Sequence, residues 1–195
     1  MKKLWISVGV LAVLAILIAA AIQFGNKEEA VFSLVQGERP VWDFEGSFEA
    51  SEELMLRANT ERERLIGLLG GGEFPDYDIE IGIAGQHSLL GEGKDSYKHL
   101  LIAVSINEVR SLAFVNLGTL LGKVKAPESA KVAYERALDI DDNVQNRIQY
   151  IQHLEQYFGD NLDLVESAHT FAIERFPRSS VLEQRYESWK KLNDR

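Results

Sequence analysis

Apolar side chains recur at helical spacing through the centre of the chain. Two such runs follow each other over residues 111–144, and their apolar or small faces are Phe114, Leu117, Gly118 and Leu121, then Ala130, Tyr134, Ala137 and Leu138. Spacings of three and four residues predict amphipathic helices. Between the runs, KVKAPES holds a proline and a serine, which are typical of one helix ending and another beginning. The pattern therefore predicts a helix–turn–helix unit.

The same pattern recurs in weaker form when the unit is moved by about 34 residues in either direction. Upstream, Leu100, Ala103 and Val104 take the apolar positions of the second run, with GEGKDS as the turn. Downstream, Ile148 and Ile151 begin a third unit. One more amphipathic helix with a charged outer side follows. The predicted units are about 77–110, 111–144 and 145–178, with a final helix at 179–193.

The spacing Phe114-x2-Leu117-Gly118-x2-Leu121, followed by Ala130-x3-Tyr134-x2-Ala137, closely resembles the tetratricopeptide repeat (TPR). The main departure is Asp142, which stands where the family closes its repeat with proline. The resemblance covers about residues 77–193. It implies an all-α fold in which helix–turn–helix units stack into a right-handed superhelix with a concave groove. Residues 179–193 would then be the polar capping helix that an open solenoid end requires.

The N-terminal part of the chain has a different pattern. Residues 4–22 carry no charge, and 19 helical residues span about 28 Å, close to the hydrocarbon thickness of a bilayer. Lys2 and Lys3 precede this run and predict an N-terminus that stays in the cytoplasm. We therefore predict a single-pass membrane anchor at 1–24, with the remaining chain on the outer side of a cytoplasmic membrane, which is the periplasm in a bacterium. Small residues at 19–21 leave a cleaved signal peptide as the alternative.

Residues 25–50 lack a clean period and are interpreted mainly as a linker leading away from the membrane. Their aromatic cluster, which includes Trp42, Phe44 and Phe48, has two interpretations. It packs on the repeats or the next helix, or it is an exposed segment that docks a partner. Residues 51–72 predict one helix that ends in a glycine hinge at Gly70–Gly72.

Charge and composition exclude several functions. The formal net charge is −9 with a pI near 5.0, which lacks the basic surface that nucleic acid requires. The chain has no cysteine, so thiol chemistry and thiolate metal sites are excluded. The four histidines lack metal-ligand spacing, and we interpret His169 as a packed side chain. The DIDDN and GEGK segments match neither a calcium loop nor a P-loop, and DIDDN is interpreted as a helix end followed by an N-cap. We therefore predict no metal, no cofactor and no enzymatic activity.

The resemblance implies that a protein partner binds in the concave groove, which the first helix of each unit lines. The corresponding residues are Ile81, Leu112, Val115, Asn116, Thr119, Asn146, Gln149, Tyr150 and His153. Some family members hold a C-terminal carboxylate with a cationic clamp in this groove. Asn116 matches one clamp position, but no cation occupies the others, so that clamp is absent. Alternatively, these side chains only help to stack adjacent helices.

Together these features predict a membrane-tethered, protein-binding scaffold that assists a membrane or envelope complex. One alternative is a fixed accessory subunit held through the anchor and the 41–69 region. An exported enzyme is the third possibility, although no residue suggests itself as catalytic.

Overall fold

The structure is a computed structural model, and it describes residues 31–194. Over that range the chain forms eight α-helices: α1 Glu52–Ile66, α2 Asp76–Leu89, α3 Gly93–Ile106, α4 Ser111–Lys123, α5 Pro127–Ile140, α6 Val144–Tyr157, α7 Leu162–Arg175 and α8 Ser180–Leu192. The predicted anchor at 1–24 lies outside the described residues. Within residues 31–194, no helix is both long and apolar enough to cross a membrane.

Short turns join the helices into hairpins that follow the predicted units. Hairpin 1 consists of α2 and α3, hairpin 2 of α4 and α5, and hairpin 3 of α6 and α7, while α8 packs on α7. Each hairpin also contacts the next one along the chain. The predicted all-α array of helix–turn–helix units is confirmed.

The core of hairpin 2 explains the residues that produced the family resemblance. Phe114, Leu117 and Leu121 are fully buried. A Cβ atom at Gly118 would lie 2.7 Å from the Tyr134 ring, so only glycine lets that ring pack against α4. The Tyr134 hydroxyl lies 3.0 Å from Thr119 Oγ1. Burial raises the pKa of Tyr134 above its usual value, which keeps the phenol neutral.

Local polar residues begin several helices. Asn143 caps α6 by accepting a hydrogen bond from the Asn146 backbone N–H at 2.9 Å. DIDDN is therefore a helix end followed by an N-cap, as predicted. Asp142 in the same segment accepts hydrogen bonds from Arg147 and Arg175, and these bonds lower the pKa of its carboxyl.

Two predicted boundaries differ from the structure. Helix α3 begins at Gly93, so the KDS part of the predicted GEGKDS turn belongs to the helix. There the Ser96 hydroxyl donates to the Ala84 carbonyl at 2.9 Å. Helix α1 ends at Ile66, four residues before the glycine run, because its final turn closes on Gly67. The following residues 67–72 form a longer connection than sequence periodicity predicted.

Residues 32–48 form an extended segment, here called the strap, that lies on hairpins 1 and 2. Phe32 is buried with its ring 6.5 Å from that of Phe114, and the Trp42 ring lies 5.1 Å from that of Tyr97. A linker leading away from the membrane was predicted for most of residues 25–50, whereas residues 32–48 make backbone hydrogen bonds to hairpins 1 and 2. For Trp42 and Phe44, the packing interpretation of the aromatic cluster is confirmed.

The C-terminal helix closes the array. Leu182 and Trp189 of α8 are buried, and the His169 ring packs against the rings of Tyr186 and Trp189 at 5.3 and 5.4 Å. His169 Nε2 lies 2.9 Å from a Glu155 carboxylate oxygen. His169 is therefore a packed side chain, as predicted.

Candidate partner-binding cavity

An open cavity of about 380 Å³ lies between α2 and α4, the first helices of hairpins 1 and 2. Its floor is apolar and is formed by Ala84, Leu100 and Leu120. Gly85 leaves part of the α2 wall without a side chain, whereas Gly82 lies against the Leu65 side chain of α1. A Cβ atom at Gly85 would meet nothing within 4 Å, so this wall is open to an approaching group.

Two side-chain amides stand at the edge of this cavity. Gln86 comes from α2 and Asn116 from α4, and both are partly exposed. Within residues 31–194, neither amide has a hydrogen-bond partner. Each can donate and accept, so together they could bind the backbone of a peptide above an apolar floor. Thr119, by contrast, is engaged, because its hydroxyl donates to the Val115 carbonyl at 3.1 Å.

The cavity continues towards α1. A second depression of about 590 Å³ lies between α1 and α2 and shares Gln86 and Leu89 with the first. Leu54 and Leu56 line its α1 side. The groove on this part of the array therefore reaches beyond the predicted repeats and includes the helix that precedes them.

The predicted groove residues of hairpin 3 are mostly buried. The Asn146 amide donates to the Asp141 carbonyl at 2.8 Å, and the Tyr150 hydroxyl donates to Glu135 at 3.0 Å. Burial, together with the nearby Glu135 carboxylate, raises the pKa of Tyr150. Their hydrogen-bonding capacity is largely used within the chain, which leaves little for a partner.

His153 is also enclosed. Its Nε2 lies 2.9 Å from the Pro127 carbonyl, and its ring packs against Tyr134, Tyr157 and Phe158 at 5.0 to 5.7 Å. Burial lowers the pKa of His153, although its bond to the carbonyl acts in the opposite direction. A neutral imidazole is therefore the stable form at this position.

The structure thus brings together only part of the predicted groove. Asn116 and Thr119 line the α2–α4 cavity, while Val115 is buried beside it and Ile81 packs on the core. Leu112 is 45% exposed and does not line the cavity. Gln149 lies part-exposed on α6. Binding at any of these residues stays a prediction.

Gln86 and Leu120 also line the cavity, although neither was predicted as a groove residue. Gln86 follows Gly85 and falls one helical turn after Gly82, so its position on the open wall was encoded in the spacing. Among residues 31–194, no group of three or more histidine or acidic side chains is arranged to hold a metal ion.

Comparisons with known proteins define the class of fold. The sequence matches no protein-family model, and no curated protein matches it. A solved structure of a tetratricopeptide repeat protein from Parabacteroides merdae is similar over 76% of this chain, with a TM-score of 0.55 and 17% identity. The chain spans 57% of that protein's length.

A thermophilic TPR protein from Thermus thermophilus is similar over 96% of this chain and 95% of its own length. The TM-score is 0.58 and the identity again 17%. At this identity the likeness concerns the fold alone. The chain has a TPR-like, all-α repeat fold.

Proposed function

We propose that this chain is a membrane-tethered scaffold that binds a segment of a partner protein in the α2–α4 cavity. The observation that carries the proposal is the pairing of the open wall at Gly85 with two amides, Gln86 and Asn116, above an apolar floor. Neither amide has a hydrogen-bond partner within residues 31–194. Such a surface suits a segment that inserts one apolar side chain and bonds through its backbone. The chemistry proposed is binding, with no catalytic step.

The proposed tether is the apolar run at 4–22, with the N-terminus in the cytoplasm and the repeats on the outer side of the membrane. Lys2 and Lys3 support this orientation. A tether raises the local concentration of the cavity near membrane partners, so a weak contact can still be occupied. Assistance to a membrane or envelope complex is the role that fits this arrangement.

Site-specific photo-crosslinking in native membranes tests the proposal. A photoreactive amino acid replaces Gly85 in the full-length chain, and a matched control replaces Lys98, an exposed residue of α3 outside the cavity. We expect a discrete crosslinked protein from position 85 that position 98 does not give. Equal products at both positions, or none at 85, would contradict binding in the cavity.

A fixed accessory subunit, held through the anchor and residues 41–69, is the second candidate. Leu56 and Ile66 of α1 favour it, since they are 67% and 48% exposed. Deletion of residues 41–69 would also remove strap contacts, so a point substitution is the cleaner test. Ile66 lines neither depression, so Ile66→Glu should abolish association with the complex only if this candidate is correct. Gly85→Trp should abolish it if the cavity binds.

A further inference from the structure

The strap is attached to the turn of hairpin 1 through its backbone. The Gly93 N–H donates to the Trp42 carbonyl at 3.0 Å, and the Phe48 N–H donates to the Leu89 carbonyl at 3.1 Å. A Cβ atom at Gly93 would collide with the Trp42 carbonyl oxygen, and one at Gly91 with the Phe44 carbonyl oxygen. The two glycines of GEGK, a segment without the spacing of a P-loop, therefore make room for the strap.

The same segment is attached to hairpin 2. The Val41 N–H donates to the Val124 carbonyl at 2.7 Å, in the turn between α4 and α5. Val41 and Trp42 are neighbours in sequence, so one residue bonds hairpin 2 and the next bonds hairpin 1. The backbone of two adjacent residues is thus hydrogen-bonded to the turns of both hairpins.

The start of α5 strengthens this attachment. Ala126, the residue before the helix, has no side chain that could cap it, and the cap is supplied by Glu38 of the strap. The Glu38 carboxylate accepts hydrogen bonds from the Glu128 and Ser129 N–H groups, each at 2.8 Å, and from the Ser129 hydroxyl. Negative charge at a helix N-terminus is stabilised by the helix dipole.

We propose that the strap is a staple between repeats, which fixes the orientation of hairpin 1 relative to hairpin 2. Because α2 and α4 belong to these two hairpins, the staple also sets the width of the cavity between them. Glu38 is the positioning residue, since its three hydrogen bonds fix the strap on α5. The staple acts on the geometry of the array, whatever the cavity binds.

The absence of cysteine permits a direct test by spin labelling of the full-length chain in a mild detergent. One label pair joins the hairpins, at the exposed positions Asp95→Cys on α3 and Asp139→Cys on α5. A second pair lies within hairpin 2, at the exposed positions Leu112→Cys and Val132→Cys. Distance distributions are measured by double electron–electron resonance, with and without Glu38→Ala.

We expect Glu38→Ala to broaden the distribution between hairpins by about twofold, because the freed hairpins can change their relative orientation. The distribution within hairpin 2 should stay unchanged. The control is Glu45→Ala, which removes the same charge from an exposed strap position and should leave both distributions unaltered.

Two results would overturn the proposal: no change in the between-hairpin pair, or equal broadening of both pairs, which indicates general loosening. Should Glu38→Ala lose its helical circular dichroism signal, Glu38→Gln takes its place. It removes the charge and one of the two acceptor oxygens, so the between-hairpin distribution should still broaden, but by less. An unchanged between-hairpin distribution in that folded variant equally overturns the staple.

Discussion

The first helices of hairpins 2 and 3 occupy equivalent places in the array but present different surfaces. On α4, Asn116 borders an open cavity and its amide is unengaged within residues 31–194. On α6, Asn146 and His153 are 8% and 4% exposed and are bonded to backbone carbonyls of neighbouring segments. The position of a residue in the repeat therefore determines whether it can face the groove. Hydrogen-bond partners within the chain determine whether its side chain is still available to bind a partner protein.

The largest expected effect on stability comes from a substitution among the buried residues of α6, here called the closed side of the array. His153→Ala removes a buried ring that packs on three aromatic neighbours, and it removes the hydrogen bond to the Pro127 carbonyl. The free energy of unfolding should fall by about 3 kcal/mol, measured by chemical denaturation. Gln149→Ala, on the same helix but part-exposed, is the control and should change stability by less than about 0.5 kcal/mol.

The second effect is a difference in stability between alanine substitutions at two glycines of hairpin 1, one packed against the strap and one facing open space. Gly93→Ala should destabilise the chain by about 2 kcal/mol, because the added methyl group collides with the strap at the Trp42 carbonyl. Gly85→Ala faces open space within α2 and should instead stabilise the chain by about 0.5 kcal/mol. Equal changes in melting temperature for the two variants would contradict the conclusion that Gly93 is packed and Gly85 faces open space.

A smaller effect concerns pH. Burial lowers the pKa of His153 in the folded chain, whereas the unfolded chain should titrate near its usual value of about 6.5. Below that pH the unfolded state binds more protons at this residue, so folded stability falls as the pH drops towards the folded pKa. His153→Gln should remove this contribution, which is at most about 1.4 kcal/mol per pH unit. Parallel stability–pH curves for the two proteins would be inconsistent with a buried neutral imidazole.

The smallest expected effect on stability comes from a substitution at the edge of the α2–α4 cavity, here called the open side of the array. Asn116→Ala should change the free energy of unfolding by less than about 0.5 kcal/mol, because its amide bonds to nothing within residues 31–194. The same substitution should weaken the photo-crosslink from position 85 if the amide contacts the partner. A marked loss of stability would show instead that Asn116 has a structural role.

The fold could be predicted because its determinants are local and periodic. Phe114, Leu117 and Gly118 lie on one face of α4. Tyr134 lies on the next helix, which a short turn brings back against that face. The strap could not be predicted from periodicity, since its contacts are backbone hydrogen bonds to residues far along the chain. Its traces in the sequence were indirect. Ala126 has no side chain that could cap α5, and Gly91 and Gly93 do not have the spacing of a P-loop.

The candidate site was predicted only in part for a similar reason. Register predicted Asn116 and Thr119 as groove residues, and both line the cavity between α2 and α4. It could not show that Tyr150 would bond Glu135, which lies on the preceding helix. Nor could it show that α1 would extend the groove through Leu54 and Leu56, because that helix precedes the recognisable repeats.

Thiol labelling tests the contrast between the open and closed sides most directly, because the chain contains no cysteine of its own. Asn116→Cys and Asn146→Cys are compared in the folded full-length chain by their rates of reaction with a maleimide, with Lys98→Cys as the exposed standard. We predict that the thiol at 116 reacts at a rate close to the standard. The thiol at 146 should react at least about tenfold more slowly, since it requires local opening. Similar rates at 116 and 146 would contradict the account.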